Sequence, residues 1–355
     1  MSFFFPELDY FIPSASMCNN IREEEIIQFS DRSRVIKCFP FEYLERKATL
    51  KFEILCDCQG SVKIRAETVS RLTIEFDETD DLEYILSLYR LIKFFFSLVC
   101  NRQNIALESA VLFGIHRYNL SRKGPGGIVE AQEKEGQISS TFYVPEKYQD
   151  DPEEPKVIAK TLGYNAFAIE KLFSLIIEDK ISVQSIHSSR KARSLLDLKQ
   201  CLHITAAFEY YLRTFLPQIS SQETIEVFDD IKALIKDYIE TQQGEKLKKA
   251  KRLHKALKPE IPLETIIRKV YDGYDTWNSL KPILSGYFGE DISHLAEVAN
   301  DWRNELAHEK REYEPSLEIV SAMRLMEHLN YCIVLRQAEY SDEEIKVIVD
   351  HVLTR

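Results

Sequence analysis

The chain has 355 residues, of which 45% are hydrophobic and 29% are charged. This composition is typical of a globular protein with a sizeable core and excludes a largely disordered chain. The net charge of -11 excludes a protein that coats nucleic acid nonspecifically, so any contact with nucleic acid has to be local.

The start of the chain and its cysteines indicate a soluble protein of the cytoplasm. The opening stretch, MSFFFPELDYFIP, lacks a basic region and contains two prolines, unlike a signal peptide. No apolar run reaches the ~20 residues that cross a bilayer. The seven cysteines are scattered, and even the close pair Cys56 and Cys58 is more typical of core thiols than of a zinc site. We therefore expect no membrane contact, no metal and no cofactor.

The first half of the chain predicts an antiparallel sheet with one long helix. Alternating and β-branched runs are typical of strands, and they cover residues 34–39, 49–56, 61–66, 71–76, 105–118 and 138–144. The acidic residues of 75–81 precede an apolar helical pattern over 82–98 and are interpreted as a helix start. Residues 121–136 contain GPGG without the residues of a phosphate-binding loop and predict a loop. These elements predict an α+β domain over residues 1–150.

A boundary is predicted at the segment DDPEEP, residues 150–155, after which the pattern is helical. Predicted helices cover residues 157–178, 189–215, 222–257, 263–280, 291–308, 316–339 and 342–353. Ser341 and Glu344 have the spacing of a capping box for the last helix. We predict a linking helix within residues 151–184 and an all-α bundle over 185–355.

The segment DWRNELAH, residues 301–308, pairs a permanent cation with a titratable base. Its helix has an apolar stripe formed by Leu295, Ala299, Trp302 and Leu306. The remaining sector carries Asn300, Arg303, Asn304, Ala307 and His308, with the histidine in the last turn. There the helix dipole favours an imidazolium.

Arg303 and His308 suit cleavage of an RNA phosphodiester. Arginine grips phosphate with a planar fork, and histidine exchanges protons near neutral pH. The substrate's own 2′-hydroxyl would be the nucleophile, so no metal is required. Because two proton transfers are needed, a twofold dimer would supply the second histidine. The alternative is an ordinary helix surface, on which Arg303 pairs with Glu297 or with the following loop.

Two further features are candidate parts of the same site. Glu209 lies on the apolar stripe of helix 189–215, and a buried carboxylate there predicts a partner, either Arg303 or a backbone amide. Alternatively, Glu209 extends to solvent. The basic run of residues 246–258 predicts a track for the RNA backbone, although a solvated helix face has the same pattern. The candidate RNA contacts are Lys246, Lys248, Lys249, Lys251, Arg252 and Lys255.

The segment WRNELAH resembles the motif of HEPN domains (higher eukaryotes and prokaryotes nucleotide-binding), in which an Arg precedes a His by a few residues. It is especially similar to the ApeA-like branch found in bacterial antiphage defence proteins. The similarity covers 185–355 in helix order. The N-terminal half is similar in general character to the ApeA N-terminal domain but shorter.

This resemblance implies a metal-independent endoribonuclease, acting as a homodimer through its HEPN domain in antiphage defence or abortive infection. Carried onto this sequence, Arg303 would bind the scissile phosphate, Asn304 would orient the pair, and His308 would be the acid-base catalyst, supported by Glu209 and Asn300. The products would carry 2′,3′-cyclic phosphate and 5′-hydroxyl ends. The substrate would be RNA, with tRNA as one candidate, and a phage-derived trigger would act on the N-terminal domain. The alternative is a non-catalytic HEPN module for dimerisation or interaction.

Overall fold

The computed structural model describes the residues 1–11, 33–57, 67–119, 128–141, 143–150, 165–216, 222–256, 262–308 and 315–353. They form two compact units. One comprises residues 1–196 with 334–355, and the other comprises 197–333. The first contains the sheet and the second is helical, so the predicted order of an α+β region before a helical region is confirmed.

The sheet has six antiparallel strands in the order β2-β3-β4-β1-β5-β6. Their bounds are β1 Ser2–Phe3, β2 Ser33–Tyr43, β3 Arg46–Asp57, β4 Glu67–Phe76, β5 Ser109–Asn119 and β6 Ile128–Ser139. Strand β1 pairs with β4 on one side and with β5 on the other. This two-residue strand therefore joins the two larger parts of the sheet.

One predicted strand and the predicted loop before it differ from the structure. Strand β6 begins at Ile128, inside the stretch predicted as a loop, and ends at Ser139 instead of running over 138–144. Most of its described side chains are exposed, so its sequence lacks the apolar alternation that a half-buried strand shows. Its pairing with β5 comes from backbone hydrogen bonds, which apolar patterns do not report. The predicted strand at 61–66 lies outside the described residues.

Aromatic side chains form the core of the sheet unit. Helix α1, Pro6–Phe11, and helix α2, Leu82–Cys100, both contribute. Phe11 lies edge-on against Phe95 and Phe96 at 6.1 and 5.5 Å between ring centroids. Helix α2 begins at Leu82, as predicted, and Asp81 caps it, because the Asp81 carboxylate accepts a hydrogen bond from the Tyr84 amide.

The predicted linking helix is observed as α3, Ala166–Ile177, while residues 151–164 lie outside the described part. Its Phe173 contacts Phe39 and Phe95 at 5.7 and 5.6 Å between ring centroids. Helix α3 is thus part of the sheet unit's core. The first compact unit includes residues 1–196 and 334–355. The predicted functional borders of 1–150, 151–184 and 185–355 stay predictions.

The helices that follow are shorter than predicted. They are α4 Arg190–Ser194, α5 Leu198–Phe215, α6 Gln222–Thr241, α7 Gly244–Ala256, α8 Leu263–Asp272, α9 Lys281–Phe288, α10 Ser293–His308, α11 Leu317–Gln337 and α12 Asp342–Val352. Asp197 caps α5 by accepting from the Gln200 amide, which divides the predicted helix 189–215. None of the described helices is long and apolar enough to cross a membrane.

Glycine and proline explain the other differences. Helices α6 and α7 were predicted as one helix, but α6 ends at Thr241 and α7 begins at Gly244, which has a φ of +66°. Gly273 has a φ of +91° and ends α8, and a side chain there would meet the Ser279 backbone at 2.8 Å. Helix α9 was missed because Pro282 suggested a break, whereas proline is tolerated in a first helical turn. The capping box of Ser341 and Glu344 is confirmed.

A buried ion pair links α1 to the end of α2. The Arg102 Nη2 atom lies 2.9 Å from the Glu7 Oε1 atom, and the two side chains are 5% and 0% exposed. The Ala106 amide donates to the same oxygen at 3.0 Å. Because both charges have left water, each depends on the other for compensation.

We predict that Arg102→Ala lowers the free energy of unfolding of the sheet unit by about 3–5 kcal/mol, since it leaves the Glu7 carboxylate buried without its cation. The matched control is Arg46→Ala, which removes an exposed pair with Asp81 and should cost at most about 1 kcal/mol. Urea unfolding followed by circular dichroism measures both. Equal losses in the two variants would contradict a special role for burial.

Candidate active site

The candidate site is built on helices α5 and α10. The Arg303 Nε atom donates to the Glu209 Oε1 atom at 3.1 Å, and the Arg303 Nη2 atom lies 3.0 Å from the same oxygen. The arginine side chain is 43% exposed and the glutamate side chain 27%. The Glu209–Arg303 pair anticipated from the off-pattern carboxylate is therefore present, at the surface and not in the core.

Buried residues lie beside both members of the pair. Ala296 and Ala299 are fully buried on α10 and lie within about 40° of Arg303 around the helix axis. Alanines permit close helix approach, which brings a side chain of one helix within reach of its neighbour. On α5, the buried residues Ala207 and Phe208 directly precede Glu209. Arg303 and Glu209 thus each lie next to buried residues of their own helix.

A second arginine contacts Glu209. The Arg213 Nη2 atom lies 3.4 Å from the Glu209 Oε2 atom, and the Arg213 side chain is 80% exposed. One carboxylate therefore holds two guanidinium groups, one on each oxygen, which leaves a net positive charge at this surface. Sequence reasoning missed Arg213, although its position four residues after Glu209 is the usual spacing of helical ion pairs.

The asparagines of the motif differ in their contacts. The Arg303 Nη1 atom donates to the Asn304 Oδ1 atom at 3.3 Å, so Asn304 helps to orient the guanidinium. Asn300 instead donates to Asp301 at 3.4 Å. The structure therefore brings Asn304, Arg303 and Glu209 together, and places the Asn300 amide on a neighbouring carboxylate.

Helix α10 continues to His308, as predicted. The side chains of Ala307 and His308 lie outside the described residues. The backbone separates residues 303 and 308 by roughly 7.5 Å along the helix axis and about 140° around it. Whether the imidazole acts with Arg303 stays a prediction.

The cysteine on the buried side of α5 is uncharged. Cys201 is fully buried, and burial raises the pKa of its thiol to about 11. The thiol is therefore neutral at physiological pH. Within the described ranges, no group of three or more His, Cys, Asp or Glu side chains is arranged to hold a metal ion.

Residues 246–256 of the basic run lie on helix α7, where all six predicted RNA contacts are exposed. They divide between two faces of the helix. Lys246 and Lys249 line a groove beside α6. On the opposite side, an arc of about 100° carries Lys248, Lys251, Arg252 and Lys255.

A comparison with known protein families assigns part of the chain to a family. Residues 202–344 match the family model described as Apea-like HEPN. The matched region includes α6 to α11, most of α5, and the residues Glu209, Arg213, Arg303 and His308. It spans less than half of the chain. No curated protein and no solved structure matches the chain.

The helical region that contains the Glu209–Arg303 pair is therefore a HEPN domain. More closely, residues 202–344 form an ApeA-like HEPN domain, as the resemblance of the WRNELAH segment indicated. The N-terminal six-stranded sheet lies outside the matched residues.

Proposed function

We propose that this protein is a metal-independent endoribonuclease acting in antiphage defence or abortive infection. The observation that supports the proposal is the position of Arg303, which Glu209 and Asn304 orient at a partly exposed surface inside the region matched to the HEPN family. RNases are common in that family. Arg303 would bind the scissile phosphate and His308 would exchange the protons.

The chemistry needs few groups because the substrate carries its own nucleophile. His308 or its counterpart removes the proton of the 2′-hydroxyl, which attacks the adjacent phosphorus. The guanidinium of Arg303 stabilises the negative charge of the phosphorane, and an acid protonates the departing 5′-oxygen. The products are a 2′,3′-cyclic phosphate and a 5′-hydroxyl.

Glu209 acts as a positioning residue in this proposal. Its carboxylate holds Arg303 through the Nε edge, so the Nη1 side of the fork stays directed toward Asn304 and solvent. A phosphate can then bind a guanidinium whose orientation is already set, which reduces the entropic cost of forming the transition state. Arg213 adds positive charge beside the same carboxylate.

Two proton transfers and one histidine per motif favour a homodimer through the HEPN domain. A twofold axis places the same patch on both subunits, so two copies of His308 would face one substrate or two adjacent substrates. One imidazole would accept the 2′-hydroxyl proton, and the other would protonate the leaving oxygen.

RNA would approach this acidic protein along a local basic surface. The outer face of α7, formed by Lys248, Lys251, Arg252 and Lys255, is the best candidate because its four cations share one side of the helix. Contacts of this kind are made to backbone phosphates and are independent of base sequence. Transfer RNA is one candidate substrate, and a phage-derived trigger would act on the N-terminal domain.

A non-catalytic role is the second candidate. The Glu209–Arg303 pair would be the same if Arg303 served only to hold α10 against α5. The domain would then dimerise or bind a partner without cleaving RNA.

We expect wild-type protein to cleave total RNA in the presence of EDTA, and His308→Ala or Arg303→Ala to reduce the rate by about 10²–10⁴-fold. Labelling of the fragments should reveal 5′-hydroxyl and 2′,3′-cyclic phosphate ends. An inactive wild-type protein that remains folded would favour the non-catalytic module, as would variants that are as active as the wild type.

We expect Glu209→Gln to keep the fold but to lower the cleavage rate by roughly tenfold to a hundredfold, because Arg303 loses the anion that orients it. The control is Glu297→Gln, which makes the same change at an exposed position of α10 and should leave the rate unchanged. Single-turnover cleavage measures both variants. Unchanged cleavage by Glu209→Gln would contradict the positioning role.

The basic track is tested by RNA binding to the His308→Ala protein as a function of salt. Replacing Lys248, Lys251, Arg252 and Lys255 by Gln should weaken binding and reduce the salt slope by roughly one for each RNA phosphate that is no longer neutralised. The matched control, Lys246→Gln with Lys249→Gln, changes the groove face of the same helix and should retain the slope. A slope unaffected by the fourfold change would exclude the track.

A further inference from the structure

One face of helix α5 is exposed along most of its length. It consists of exposed residues that follow one another at intervals of three or four positions, namely Lys199, Leu202, Ala206, Tyr210 and Arg213. This spacing places all of them within about 80° of the helix circumference. The surface, which we call the α5 face, therefore has a cation near each end and apolar or aromatic side chains between them.

The α5 face borders the candidate active site. Glu209 lies at its edge, about 20° around the helix from Leu202. The Glu209 Oε1 atom lies 3.0 Å from the Arg303 Nη2 atom, and the Glu209 Oε2 atom lies 3.4 Å from the Arg213 Nη2 atom. The site and the α5 face thus share one carboxylate. A nucleic acid strand whose phosphate binds Arg303 therefore lies next to the α5 face.

Tyr210 presents an aromatic ring on this face. Tyr210 is 38% exposed, and its ring centroid lies 5.9 Å from that of Tyr211, with 60° between the ring planes. Tyr211 is buried and stacks on Phe215 at 6.0 Å between centroids. The exposed ring is therefore supported by a buried one. This support limits the conformational entropy that Tyr210 loses when a planar ligand stacks on it.

Cations beside an exposed aromatic ring are the combination that binds single-stranded nucleic acid. Lysine and arginine contact the backbone phosphates, and an unpaired base stacks on the ring. A base inside a duplex is already stacked and cannot be splayed onto a side chain without unpairing. The five residues of the α5 face include two cations and no acidic residue. This charge favours an anionic ligand over a neutral protein surface.

Building on the proposed function, we propose that the α5 face binds an unpaired stretch of the RNA substrate. Tyr210 stacks on a nucleobase next to the scissile phosphate, while Lys199 and Arg213 contact backbone phosphates. Tyr210 is then a specificity-determining residue. It selects RNA that is single-stranded at the point of cleavage, and it tolerates any base because every base has a stacking face.

The first test measures the affinity of the full-length His308→Ala protein for a short oligoadenylate by fluorescence anisotropy. Adding Tyr210→Ala should weaken binding roughly fivefold to hundredfold, whereas Tyr210→Phe keeps the ring and should bind like the parent protein. The control is Tyr287→Ala, since Tyr287 has the same 38% exposure but lies on α9, and it should retain the parent affinity. No binding by the parent protein, an unchanged affinity in Tyr210→Ala, or equal losses in the Ala and Phe variants overturns the proposal.

An abasic RNA of the same length separates stacking from phosphate contacts. The parent protein should bind oligoadenylate at least fivefold more tightly than the abasic strand, and Tyr210→Ala should not change the affinity for the abasic strand. Lys199→Gln and Arg213→Gln should weaken the binding of both strands and each lower the salt slope by about 0.7, the value for one phosphate of a single strand. Equal affinities of the parent protein for the two strands, or salt slopes unchanged in both variants, overturn the proposal.

Cleavage distinguishes this proposal from the proposed function. In the chain that retains His308, Tyr210→Ala should slow the cleavage of single-stranded RNA at subsaturating concentration by the factor that it loses in affinity. A wild-type protein that does not cleave RNA, combined with binding of oligoadenylate through Tyr210, would support the α5 face and contradict the proposed function. Cleavage at the wild-type rate by Tyr210→Ala would do the opposite.

A contact with another protein is the competing use of the α5 face. Light scattering and circular dichroism measure the mass and the fold of each variant, and both should match those of the parent protein. A folded Tyr210→Ala variant with a changed mass and an unchanged affinity for oligoadenylate would assign the face to a protein contact and overturn the proposal.

Discussion

The contact on which the candidate site depends is the carboxylate of Glu209 between two arginines. Without that anion, the guanidinium groups of Arg303 and Arg213 would repel each other, and each would lose its fixed orientation. With it, the cluster keeps a net positive charge while Arg303 stays partly exposed. A buried pair would be held more firmly, but it would be closed to a phosphate. Half exposure allows the arginine to be oriented and still be reached by a ligand.

Positive charges are also grouped elsewhere in the helical region. The chain as a whole has a net charge of -11, yet exposed cations are concentrated on α7 and beside Glu209. Screening in physiological salt limits exposed charges to about 8 Å, so such local groups act nearly independently of the overall balance. An acidic protein can therefore present a surface suited to an anionic ligand.

The sheet unit depends on contacts between residues distant in sequence. Strand β1 pairs with residues 72 and 73 on one side and with 110 and 111 on the other. Glu7 and Arg102 are paired over a similar separation. Such contacts require long loops to close, which makes them late and cooperative events in folding. The six-stranded sheet and the buried ion pair therefore both depend on residues 1–11, which contribute strand β1 and Glu7.

The sequence pattern was sufficient to predict the features that depend on residues close together in the chain. The apolar period of α2, the Asp81 cap, the capping box at Ser341 and the extent of α10 follow from residues a few positions apart. The motif of Arg303 and His308 was visible for the same reason, and the off-pattern Glu209 indicated a partner for Arg303.

Tertiary structure decided what depends on distant partners. Strand β6 is polar because most of its described side chains face solvent, so only its pairing with β5 identifies it. Nothing in the sequence assigned Ser2 and Phe3 to the middle of a sheet, since their partners lie about 70 and 110 residues away. Only the packed helices showed that a second arginine contacts Glu209 and that the α7 cations lie on two faces. They also showed that the apolar residues Val227, Ile231, Leu234 and Tyr238 of α6 are exposed. A sequence period shows which side chains share a face, and only packing shows whether that face is covered.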